Sequence, residues 1–187
     1  MPTQAWPLQR CVLATAVAVA ISIQRPSMVK VMRPPQRPFT DFSQFWPLYV
    51  SQHSLAQTKI LHAVGTSAVL LSQLPQGADK LLRFALGIGT GISLSLCAVD
   101  ATAHLDTGAA EALLMVAFLV GSIRQYTGWS AKKVILLLSS GYVMPWMSHY
   151  FIENNRPATF LHPTFSLLGD LRLLGALLTR SISLDQS

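Results

Sequence analysis

The chain has 187 residues, enough for one domain with a sizeable core. Half of its residues are hydrophobic, 12% are charged and the mean hydropathy is +0.41, whereas about a quarter of a soluble domain is charged, so the composition points to a membrane protein. The net charge of +6 comes without a basic face interleaved with aromatics, which argues against nucleic acid and for attraction to a membrane surface.

Residues 1–38 carry Arg10, Arg25, Lys30, Arg33 and Arg37, and the first acidic residue is Asp41. Within them, "CVLATAVAVAISI" is apolar but shorter than the ~20 residues of a comfortable membrane crossing. We read 1–38 as a basic targeting or anchor segment that closes in the Pro-rich linker "RPPQRPF". Residues 39–180 form the expected helical membrane domain, and 181–187 a tail. Cys11 and Cys97 lie in apolar runs, with no disulfide framework and no metal spacing.

The domain opens with "DFSQFWPLYVSQH", a short amphipathic helix with interfacial aromatics. Thr58 is then placed to N-cap a helix starting at Lys59. Four hydrophobic helices are expected, over Ile60–Ala78, Phe84–Val99, Ala112–Ile123 and Val134–Ile152, some only marginally long enough to cross. Gly87 and Gly91 of "GIGTG" follow no strand, so they read as a close-packing face rather than a phosphate loop. Asp100, His104 and Asp106 read as a solvated hairpin. Finally, "FSLLGDLRLLGALLTR" mixes apolar and charged residues as an interfacial helix does. The fold class is therefore an all-α integral membrane bundle of about four hydrophobic helices plus short interfacial ones.

Ionisable residues near apolar helices are the functional candidates. His53 and His62 are nine residues apart in "HSLAQTKILH", on opposite faces of any continuous helix, so they share a ligand only if the chain turns between them. Ser54, Gln57 and Thr58 supply a break there. His149 and Glu153, four apart, share a helical face at the end of the last hydrophobic helix. An even number of crossings returns that end to the side of His53 and His62. Three imidazoles with a carboxylate suit Fe(II), Zn(II) or Mn(II).

Two blocks carry a resemblance. "FSQFWPLYVSQHSLAQTKILHAVGTS" (42–67) and "GYVMPWMSHYFIENNRPATFLHPTFSLLGDLR" (141–172) resemble the signature blocks of a small membrane family, formerly a domain of unknown function, whose fungal member is a 2-hydroxy fatty acid dioxygenase. The resemblance implies that His53, His62 and His149 bind Fe(II), with Glu153 a further ligand or a group behind the ligands. It implies α-oxidation of a 2-hydroxy fatty acid with O2 at a bilayer, shortening the chain by one carbon, with Arg156 pairing with the substrate carboxylate and the endoplasmic reticulum as the expected compartment. Pro145 departs from the small residue usual in the family, and frees the carbonyl of Gly141 from its helix hydrogen bond. Two other readings stand beside this one, a haem-binding electron carrier and a non-catalytic membrane protein.

Overall fold

The computed structural model describes residues 4–24 and 33–184. Arg25 and Lys30 of the basic segment and the last three residues of the tail lie outside the described residues. All regular structure among the described residues is helical. The helices are α1 (Leu8–Ile23), α2 (Phe42–Ser51), α3 (Ala56–Leu71), α4 (Ala78–Ala101), α5 (Ala109–Thr127), α6 (Ala131–Ser148) and α7 (Pro163–Leu178).

Helices α3 to α6 run up and down. The first expected span is shorter than its apolar run, because the α-helix stops at Leu71; Pro75 and Gly77 follow, the latter at φ 91°, a conformation that glycine adopts without strain. Among the described residues, only α4 and α5 are long and apolar enough to cross a membrane. α3 has 16 residues and α6 has 18, and neither meets both conditions, so by length and composition two of the four expected spans are supported.

Two glycine contacts set the helix spacing. In the α4–α5 pair, a Cβ added at Gly87 would stand 2.9 Å from the Ile123 Cα, and one at Gly91 would stand 2.8 Å from the Leu119 Cα. These glycines are thus the close-packing face read from "GIGTG". In the α3–α6 pair, the Gly141 carbonyl, which Pro145 leaves without its helix donor, faces Gly65, where an added Cβ would stand 2.5 Å from it. This approach holds His62, one turn before Gly65, against the C-terminal end of α6.

Helix α1 lies along α4. Its Thr15 hydroxyl meets the hydroxyls of Thr90 at 2.9 Å and Tyr126 at 3.1 Å, so an otherwise apolar helix is registered by a three-hydroxyl cluster. Arg37, in the linker before α2, is fully buried. Its guanidinium donates to the carbonyls of Thr102 (2.9 Å) and Thr107 (3.1 Å) and pairs with Glu111. The other Glu111 oxygen accepts the backbone N–H of Thr164 at 2.9 Å. One buried ion pair thereby fastens the linker, the α4–α5 loop and the start of α7 together. α7 then passes beneath α2, where Tyr49 packs directly on Gly169.

Candidate metal centre

Three segments bring the three histidines together. His53 follows the last turn of α2, and its N–H bonds the Val50 carbonyl at 3.0 Å. The chain then reverses and α3 begins at Ala56, three residues before the expected start, with Thr58 buried inside the helix rather than capping it. The carboxylate of Glu153 stabilises this reversal. It accepts the Leu55 N–H at 2.8 Å and the Ser54 hydroxyl at 3.0 Å, satisfying a donor at the helix start that would otherwise lack a partner. His62 sits on the second turn of α3. His149 opens a π-helical turn over His149–Glu153, a wide turn of the kind often found at functional sites.

The ring nitrogens of His53, His62 and His149 lie within 4.8 Å of one another, and all three residues are buried. Their hydrogen bonds assign the tautomers. His53 Nδ1 lies 2.5 Å from the Tyr49 carbonyl, which can only accept. His62 Nδ1 lies 2.7 Å from Asp170 Oδ1. His149 Nδ1 lies 2.6 Å from Asn155 Oδ1, and the Asn155 amide nitrogen donates to the Gln52 carbonyl at 3.0 Å, which fixes the amide's orientation. Each Nδ1 is therefore the protonated nitrogen, and each Nε2 presents a lone pair. Burial first, and then the imidazole of His62, push His53 well below the usual imidazole value. Burial also lowers His149, against the Asn155 hydrogen bond. Both rings are neutral bases at neutral pH, the form in which imidazole binds a metal.

The donor set passes a simple test of fit. His53 Nε2 and His62 Nε2 stand 3.1 Å apart, and with both rings in the neutral form one acceptor faces the other. A cation between them turns this repulsion into ligation. Two nitrogens each about 2.1 Å from one ion, at right angles, would lie about 3.0 Å apart, close to the spacing found. His149, with ring centroids 4.8 Å from His53 and 5.1 Å from His62, supplies the third donor. The residues present can hold one metal ion.

Behind the ligands stands a layer that was not legible as part of the site. Tyr49 anchors two of them, His53 through its carbonyl and His62 indirectly, because its hydroxyl donates to Asp170 at 2.6 Å. Its ring also stacks on His53 with centroids 4.0 Å apart. Two signals could have found this layer: Tyr49 lies four residues before His53, and Asp170 is an ionisable group in mid-helix of an apolar segment. Arg156, exposed, lays its guanidinium over the Phe160 ring at 5.1 Å. His162 packs among Phe39, Phe45 and Phe165, away from the triad, and burial pushes it down to about 4.

Partners that hold a ligand's second nitrogen typically change metal affinity about 10–100-fold. Asp170→Ala is expected to weaken metal binding by that factor, measured by competition with a chelator. Wild-type affinity in this variant would show that the Asp170–His62 contact serves packing alone.

A family model described as 2-hydroxy-palmitic acid dioxygenase Mpo1-like matches residues 39–182. No curated protein and no solved structure gave a match.

Proposed function

Because the chain belongs to the Mpo1-like family, and because the matched region holds all three histidines with their Nε2 lone pairs converging, we propose that it is an Fe(II)-dependent dioxygenase of 2-hydroxy fatty acids. The overall change would be R–CH(OH)–COOH + O2 → R–COOH + CO2 + H2O, which breaks the bond between C1 and C2 and shortens the chain by one carbon. The observation that carries the reading is the 3.1 Å approach of His53 Nε2 to His62 Nε2 with His149 beside it. Few side-chain arrangements other than a metal site bring three buried imidazoles this close together.

His53, His62 and His149 would hold the iron, which when bound supplies O2 chemistry and open positions for chelating the 2-hydroxy carboxylate. The chain does the rest. Tyr49, Asp170 and Asn155 keep the proton of each imidazole on Nδ1, so each Nε2 stays available. Glu153 acts one step further out, by fixing the turn that carries His53. The stacked rings of Trp46, Tyr49 and His53 shield one side from water. Arg156, adjoining Asn155, is the cation proposed to meet the substrate carboxylate. The proposed setting is a membrane, entered through α4 and α5, with the endoplasmic reticulum as the compartment to test.

The haem alternative fares worse on geometry. Two axial ligands with metal–nitrogen bonds of about 2 Å lie about 4 Å apart across the iron, with the macrocycle between them. A 3.1 Å pair with a third imidazole at its side leaves no room for that plane.

The test is turnover of 2-hydroxypalmitic acid by protein purified without oxygen and reloaded with Fe(II). The expected product is pentadecanoic acid, appearing with O2 consumption and lost on chelation. A protein that retains iron but consumes no O2 with any 2-hydroxy acid would refute the reading.

A further inference from the structure

A cavity of about 440 Å3 opens between α3, α5, α6 and α7, within the usual range of small-molecule sites, about 300–1,000 Å3. Its lining is predominantly apolar, and it is long. On α6 it runs from Ile135 to Trp146, a rise of eleven residues, or about 16 Å of helix axis. Its ends differ. Toward the metal centre it reaches Asp170, whose carboxylate holds His62, and Tyr142, whose hydroxyl has no hydrogen-bond partner among the described residues. The far end is hydrocarbon, formed by Leu70, Ile88, Val120 and Ile135.

An elongated apolar space with one unmatched hydroxyl, joined through Asp170 to the triad, fits one kind of occupant. We propose that this cavity seats the acyl chain of a single long-chain carboxylic acid, its carboxyl end leading out past Tyr142 toward the metal centre and its methyl end against Leu70, Ile88, Val120 and Ile135, which set the chain length accepted. The inference rests on the fatty-acid reading above and adds to it where the chain lies and what measures it. Each methylene buried in such a space strengthens binding about fourfold, so affinity rises with length until the methyl end meets the far wall, and then stops rising.

The experiment uses the full-length, iron-loaded protein in phosphatidylcholine vesicles, irradiated with hexadecanoic acid bearing a diazirine at its methyl end. The expected label falls on Leu70, Ile88, Val120 or Ile135, and excess unlabelled hexadecanoic acid displaces it. Val120→Trp fills the far end, so it is expected to reduce this labelling at least tenfold while a decanoic acid probe still labels the cavity. Labelling confined to Leu113 and Leu136, which are 75% and 60% exposed, would overturn the proposal, as would cavity labelling that excess hexadecanoic acid fails to displace. Turnover of 2-hydroxypalmitic acid without cavity labelling refutes this placement and leaves the dioxygenase reading intact. Cavity labelling in a protein that turns over no 2-hydroxy acid does the reverse.

Discussion

His53→Ala, His62→Ala and His149→Ala will each leave the purified protein without stoichiometric metal. The site offers three nitrogen donors and no fourth among the described residues, so deleting one leaves two. The loss should exceed the roughly 10–100-fold expected for residues that only orient a ligand. The metal-free variants are expected to stay folded. Metal analysis of protein purified without oxygen, with helical content by circular dichroism as the control, reads both. Full occupancy in any one variant removes that residue from the ligand set, and full occupancy in all three ends the metal reading.

The second large effect is structural and lies away from the metal. Arg37 and Glu111 are both fully buried, so Arg37→Met strands a carboxylate with only the Thr164 N–H to satisfy it. Breaking a buried pair from one side destabilises by about 3–5 kcal/mol, whereas replacing both partners with apolar residues of similar volume is often neutral or better. The expected order of thermal stability in detergent is therefore wild type, with Arg37→Met/Glu111→Leu near it, and Arg37→Met alone far below. If the single variant melts with the wild type, the pair does not fasten the linker to α5.

The histidines were legible because their residue type limits what they do in an apolar chain, and because Ser54 to Thr58 visibly broke the helical pattern between two of them. The break was placed a few residues late. The sequence could not show that Glu153, a distant carboxylate, rather than Thr58 would stabilise the turn. Arg37 was read with the other basic residues of the N-terminal segment, since nothing local marks one arginine as the partner of a glutamate 74 positions on. Tyr49 looked like one more interfacial aromatic, and Asp170 like a charge on an interfacial helix. Both became visible only when α7 was seen to pass under α2. The first expected span came out shorter for a simpler reason: apolar composition continues through Pro75, but the helix ends at Leu71.

The spacing of the ligands along the chain also has a consequence in time. His53 and His149 are 96 positions apart (149 − 53), and the carboxylate that orients His62 is at Asp170, later still. Closing so long a segment is entropically costly, and contacts of such separation tend to come late in folding. The α4–α5 hairpin, whose partners are neighbours in sequence, has no such wait. During synthesis, then, the middle of the chain can pair while the two halves of the triad are still apart. Any metal held by the triad therefore enters late in assembly, and most tightly once α7 has slid beneath α2 and brought Asp170 to His62.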